Sequence, residues 1–201
     1  VRGRYPRAEG VAGKAGLMRK IRKIIVHCTM TKPSMDIGVK EIRNWHINEN
    51  NWSDVGYHKI IRRSGEIEDG RPIHRPGAHV QGENFDSIGI AWVGGMAEES
   101  SKAEDNRTAD QTTALFNLLQ DLQQQYPGAA ILGHRDVKGV KKQCPSFDVR
   151  QWYTEACIEK GKKEQSAPTV RPSTIFRYLL LITWRLWRHH RSSRRRSEVS
   201  G

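Results

Sequence analysis

The sequence predicts an α/β (α+β) domain built on one central mixed β-sheet with helices against its faces. Three observations predict it. Residues 23–28 form a short β-branched run, apolar at successive positions as a strand covered on both faces must be, and 88–93 and 129–132 repeat that character. Stretches with apolar residues at helical spacing lie between and after these runs. Two further runs, 57–63 and 66–69, meet around Ser64-Gly65 as a hairpin would. Strands mixed with crossover helices close into a single sheet with helices packed on it.

In order, residues 1–19 are rich in Gly, Ala and Arg without periodicity, which reads as a flexible basic arm, and Met18 is a candidate natural start. No continuous apolar run follows the basic residues, so no secretory signal peptide is expected. In the strand at 23–28, the period of two sends His27 and Cys28 to opposite faces, so they cannot both readily serve one site. After the turn-like Thr31-Lys32-Pro33-Ser34, Val39, Ile42, Trp45 and His46 mark a core-packing helix over 38–49. The Pro-, Gly- and His-containing loop from Arg71 to Gly82 is polar enough to line a cleft rather than fill a core. A strand at 88–93 then ends in Gly94-Gly95, and the acidic stretch 97–107 is expected to be exposed.

Thr108-x-x-Gln111 is a capping-box pattern that starts a helix with Leu115, Leu118, Leu119 and Leu122 on one face, stopped by Pro127-Gly128. The strand 129–132 leaves His134 just past its end. Ser146 is placed to cap a last helix running to Gly161, with Phe147, Val149 and Trp152 turned inward. Beyond it, residues 161–201 read as a polar linker and a cationic tail. Its apolar segment, 175–188, is shorter than the roughly 18 uncharged residues that a spanning helix needs. An interfacial helix drawn to anionic membranes and a tail without selected function are both open readings. The expected organisation is therefore an arm (1–19), a folded domain (20–160) and a linker with tail (161–201), the whole a monomer.

The formal charge of +12 is unevenly placed: residues 1–19 hold five basic residues against one acid, 20–160 nineteen of each, and 161–201 ten against two. A folded surface that tracked phosphates would hold that charge itself, so no direct nucleic-acid contact is expected. The three cysteines, Cys28, Cys144 and Cys157, are odd in number and too few for a disulfide framework, which favours synthesis in a reducing compartment.

His27, His134 and Cys144 can supply two imidazoles and a thiolate, the three ligands that a hydrolytic zinc site needs beside an open position. No HExxH or CxxC spacing is present. A lone histidine at a strand end is more often a hydrogen-bonded structural residue, so both readings stand on pattern alone. The other histidines have bland readings. His46 packs on a helix face, His58 points away from Tyr57, His74 is exposed, and His189 and His190 sit in the basic tail. Cys28 and Cys157 read as small buried hydrophobes, and Trp45, Trp52, Trp92 and Trp152 as core or cleft wall.

Five segments recur in order over about residues 22–157: Val26-His27-Cys28-Thr29 with Thr31-Lys32-Pro33-Ser34; Gly38-Val39-Lys40-Glu41-Ile42-Arg43 with Trp45-His46; Asp54-Val55-Gly56-Tyr57-His58; Ser87-Ile88-Gly89-Ile90 with Val93-Gly94-Gly95; and Cys144-Pro145-Ser146-Phe147-Asp148. With them the chain resembles the type-2 N-acetylmuramoyl-L-alanine amidases, a family that includes the peptidoglycan recognition proteins, and most of all its branch in T-odd coliphages. The resemblance implies a single amidase domain that cleaves peptidoglycan between N-acetylmuramic acid and L-alanine with one zinc ion. It matches His27, His134 and Cys144 to the zinc ligands, and Tyr57 and Lys142 to the tyrosine and lysine beside the metal. Lys141 competes with Lys142 because the loop from His134 to Cys144 looks longer than in the phage branch. His79 aligns with a cleft-loop position and is the candidate substrate contact, beside its reading as a solvent-exposed loop histidine. The resemblance also implies a lytic enzyme made in the host cytoplasm that acts on the wall after release. Two alternatives come with it: a peptidoglycan-binding module without catalysis, and a module that binds and inhibits a phage RNA polymerase.

Overall fold

The computed structural model describes residues 19–166, so the arm before Arg19, the start at Met18, and the linker and tail beyond Ser166 lie outside the described residues. Strand β1 (Lys23–Cys28) is followed by helix α1 (Val39–Asn48), the hairpin β2 (Lys59–Ile61) and β3 (Ile67–Asp69), and strand β4 (Ser87–Trp92). Helix α2 (Ala109–Gln125), strand β5 (Ala130–Gly133), a 3-10 turn (His134–Asp136) and helix α3 (Val149–Ser166) complete it. The sheet order is β3-β2-β4-β1-β5. Only the edge strand β3 runs antiparallel to its neighbour, so the sheet is mixed, as expected.

Register divides the central strands into two faces. Ile24, Val26 and Cys28 lie beside Ile88, Ile90 and Trp92. That face meets Leu115, Leu118, Leu119 and Leu122 of α2 and Val149 and Tyr153 of α3 in the main core. Each fully buried Val, Ile or Leu among them contributes roughly 1.5–3 kcal/mol. On the opposite face α1 seats Ile42 against Ile60, Val55 and Val93. There β4 offers only Ser87, Gly89 and Ala91, beside Lys23, Ile25 and His27. Small residues on one face of a central strand leave room above it, and that room becomes the site.

The capping box forms: Gln111 N–H donates to Thr108 Oγ1 (3.0 Å) and Thr108 N–H to Gln111 Oε1 (3.1 Å). The fully buried Gln111 amide also donates to Ile61 O (3.2 Å) and Val93 O (2.9 Å), tying the start of α2 to the ends of β2 and β4.

Several expectations change. The hairpin strands are three residues each, shorter than the runs suggested. Helix α3 is capped by Asp148, whose Oδ1 accepts from Gln151 N–H (2.9 Å), and not by Ser146. Ser146 has φ 75° and donates its hydroxyl to Gly95 O (2.8 Å) instead. The helix runs through Gly161 to Ser166, and a second compact unit begins at Ile158, of which only 158–166 is described. In the acidic stretch, Arg107 is not exposed: its guanidinium lies 3.4 Å over the Phe147 ring and 4.6 Å from that of Trp152. Arg19, counted with the arm on sequence, is anchored into the fold. Its guanidinium donates to the carbonyls of Ile73 (2.9 and 2.6 Å), Asn84 (2.9 Å), Phe85 (2.8 Å) and Ser87 (3.3 Å). Among the described residues no helix is long and apolar enough to cross a membrane.

Candidate active site

Strands β1 and β5 are parallel neighbours, with Val26 paired to Gly133. The next residue of each chain is therefore a histidine at the same, carboxyl end of the sheet, where open α/β sheets place their ligands. The rings of His27 and His134 lie 4.4 Å apart. Cys144 returns to the same point because Arg135 N–H donates to Cys144 O (2.8 Å). The intervening loop is pinned by Val137, which packs with Ile25 and Val80, and by Asp136, whose carboxylate accepts from Gly133 N–H (2.7 Å). One ligand-type atom from each of His27, His134 and Cys144 lies within 4.8 Å of the others. Among the described residues this is the only such group of three.

Electrostatics favour metal-ready imidazoles. Burial, then the neighbouring His79, His134 and Lys142 charges, hold His27 well below the usual histidine range. Burial and Lys142 also lower His134. Both rings are thus neutral at ordinary pH, the form that binds a metal. The buried Cys144 thiol is pushed up by its hydrogen bond with the Cys28 thiol and by burial, while Cys28 N–H donates to its sulfur (3.3 Å). Two imidazoles and a thiol converging from three segments suit a tetrahedral site with one position open.

Tyr57 stacks obliquely on His27, with ring centroids 5.2 Å apart, and burial pushes its hydroxyl well above the ordinary tyrosine value. Lys141 and Lys142 are both exposed and both line a cleft of about 870 Å³, with Trp52, His134 and Val140 among its walls. The lysine whose charge bears on His27, His134 and Cys144 is Lys142. His79 also lines the cleft, but its ring turns inward. Its Nδ1 lies 3.0 Å from His27 Nε2 and its Nε2 lies 3.3 Å from Ser87 Oγ. Burial and the surrounding charges lower its pKa to about 3, so it too is neutral.

The remaining histidines have structural partners. His46 Nδ1 accepts from Gly56 N–H (3.0 Å). His58, 1% exposed, accepts from Gly89 N–H at Nδ1 (2.9 Å), so its proton is on Nε2, 3.1 Å from Arg75 O. His74 is exposed. Trp92 is fully buried, Trp45 packs beside the α1 core, and Trp52 is the cleft-wall tryptophan.

Sequence reasoning missed three contributors to the site. Arg71 donates to Val55 O (2.9 Å) and Pro76 O (2.9 Å), joining the approach to Tyr57 to the loop that carries His79. Asn84 accepts at Oδ1 from the backbone N–H of His79 (2.9 Å) and Val80 (3.0 Å). Ser87 takes the far side of His79. Ser87 was marked only as a polar residue opening an apolar strand and as part of a family-like segment, with no role attached, and nothing in the pattern marked the other two.

Comparison with known proteins gives a consistent result. Residues 17–147 match the family model described as N-acetylmuramoyl-L-alanine amidase. The chain is 48% identical over 131 residues to the endolysin of Klebsiella phage KP32, covering 65% of this chain and 84% of that one. It is 45% identical over 130 residues to the endolysin of Escherichia phage T7, covering 65% and 83%. Among solved structures, the N-acetylmuramoyl-L-alanine amidase LysC from Clostridium intestinale URNW superposes with a TM-score of 0.57 at 28% identity, covering 69% of this chain and 86% of that one.

Proposed function

This chain belongs to the N-acetylmuramoyl-L-alanine amidase family, and we propose that it is a zinc-dependent endolysin that hydrolyses the amide between N-acetylmuramic acid and L-alanine in peptidoglycan. The observation that carries this reading is the convergence of His27, His134 and Cys144 beside a cleft, in a chain whose phage relatives are endolysins. His27, His134 and Cys144 would hold the ion. When bound, zinc supplies Lewis acidity that polarises a carbonyl and lowers the pKa of water towards about 7.

The chain's own residues do the rest. Lys142, at the cleft rim, stabilises the oxyanion that develops as the carbonyl is attacked. Tyr57 keeps its proton because burial disfavours the phenolate, so it acts as a hydrogen-bond donor to the reacting oxygen and not as a base. Peptidoglycan is the proposed occupant of the cleft of about 870 Å³ beside the three ligands. The three free cysteines suit a chain made in the host cytoplasm, with action on the wall following release.

A peptidoglycan-binding module would not need the third ligand, and Cys144 is present and buried at the other two. Changing Cys144→Ser should therefore lower metal content and cut peptidoglycan hydrolysis at least a hundredfold while the fold is kept. Full activity in that variant would remove Cys144 from the ligand set.

A further inference from the structure

His27 turns its Nδ1 towards Cys144 Sγ, 3.9 Å away, and its Nε2 away from the cluster. A nitrogen that binds a metal must offer a lone pair, so a ligating Nδ1 places the ring proton on Nε2. That proton points at His79 Nδ1, 3.0 Å distant, which must then accept. The His79 proton therefore sits on Nε2, facing Ser87 Oγ at 3.3 Å, and the Ser87 hydroxyl donates onward to Glu83 O at 2.6 Å. Every contact in this line pairs one donor with one acceptor only if His27 presents Nδ1 to the cluster. The reverse order would leave the Ser87 hydroxyl with two acceptors, His79 Nε2 and Glu83 O, for one proton.

The His79 ring is held in a built slot. A Cβ placed on Gly89 would lie 2.5 Å from His79 Cδ2, and one on Gly77 would lie 2.4 Å from the same atom. Neither glycine has the positive φ that would otherwise call for the residue type, so what they provide is space. Asn84 fixes the His79 backbone, and the completely buried Ser87 fixes the far end of the ring. Four positions outside the cluster thus specify where one imidazole sits and which nitrogen bears its proton.

We propose that His79 is a positioning residue that, with Ser87 behind it, holds His27 in the Nδ1-ligating tautomer and orientation. This rests on the reading of His27, His134 and Cys144 as metal ligands. Partners of this kind typically govern metal affinity by 10–100-fold. The His79 ring spends both of its nitrogens on the protein, which distinguishes this role from a polar contact with substrate.

The test is Zn²⁺ affinity of the full chain by chelator competition, with Co²⁺ absorption spectra as a second readout and apo-protein unfolding in chelator as the folding control. His79→Leu removes the acceptor and should weaken Zn²⁺ binding about 10–100-fold. His79→Asn keeps an oxygen where Nδ1 was, and should stay within about threefold of wild type, a small part of that range. Gly89→Ala leaves His79 and the three ligands unchanged in identity, yet its Cβ would crowd the His79 ring and should weaken binding in the same direction by displacing it. If wild type binds one Zn²⁺ and His79→Leu binds it equally tightly, the positioning role is overturned while the ligand assignment stands. Equal losses in the Leu and Asn variants would overturn it as well. If wild type binds no stoichiometric Zn²⁺, the ligand assignment itself fails.

Discussion

Replacing Arg19 with alanine removes a guanidinium that holds four carbonyls of the segment 73–87. The donors reach Ile73 O twice, Asn84 O, Phe85 O and Ser87 O at 2.6–3.3 Å. The Phe85 bond is exposed, so water replaces it. The other three carbonyls are partly buried and lose their charged donor, at about 1 kcal/mol each after the guanidinium's own desolvation is offset. Burial holds the Arg19 guanidinium below the usual arginine range, the direction that such desolvation gives. The expected loss is about 3 kcal/mol, or a fall in Tm of roughly 6–12 °C for a domain of this size. Urea denaturation followed by tryptophan fluorescence measures it. Arg19→Lys should recover less than half, since a single ammonium cannot span carbonyls on both sides of the fork. A loss under about 0.5 kcal/mol, within the range of an ordinary surface substitution, would refute the anchoring role.

Two other perturbations probe the cleft lysines and a buried histidine. Lys142→Ala should lower kcat by about 10²–10³ with Zn²⁺ content unchanged, as loss of one oxyanion donor does, while Lys141→Ala should stay within about threefold; the opposite ranking in steady-state hydrolysis of peptidoglycan would exchange their roles. His58 is held down to about 4 from 6.5, chiefly by burial. Between those values the unfolded chain binds a proton that the folded chain refuses, so the His58 contribution is complete above pH 6.5 and is lost as pH falls towards 4, by about 3 kcal/mol in all. Chemical denaturation of chelated protein across that window should show a shallower pH slope in His58→Phe than in wild type. Identical slopes would contradict a neutral, buried His58.

The elements read most clearly from sequence were those whose local signal and tertiary role coincide. The run at 23–28 is buried on both faces, and the box Thr108-x-x-Gln111 satisfies its own backbone donors, so each announces itself locally. Asp148 displaced Ser146 as the cap of α3 because a tertiary bond to Gly95 O and a left-handed backbone removed Ser146 from the helix geometry. Arg19 and Arg107 looked like arm and surface residues, since an arginine's burial depends on distant carbonyls or aromatic faces that periodicity cannot see. The site was legible in part. Cys144 and His134 share a segment, but their meeting with His27 depends on the pairing of β1 with β5, which family resemblance supplied and local pattern did not. His79 was picked out as a cleft-loop residue, while its contact with His27 became visible only once Gly77, Gly89 and Ser87 were in place around its ring.

One zinc ion at His27, His134 and Cys144 is proposed to drive cleavage of a single amide. The most direct test joins metal content to product identity on purified peptidoglycan. Protein containing one Zn²⁺ should release peptides with a new N-terminal L-alanine and leave the glycan strands intact. Chelated protein should release none until Zn²⁺ is restored. Undiminished release of the same peptides by metal-free protein, or cleavage at any bond other than that amide, would contradict a zinc-dependent amidase.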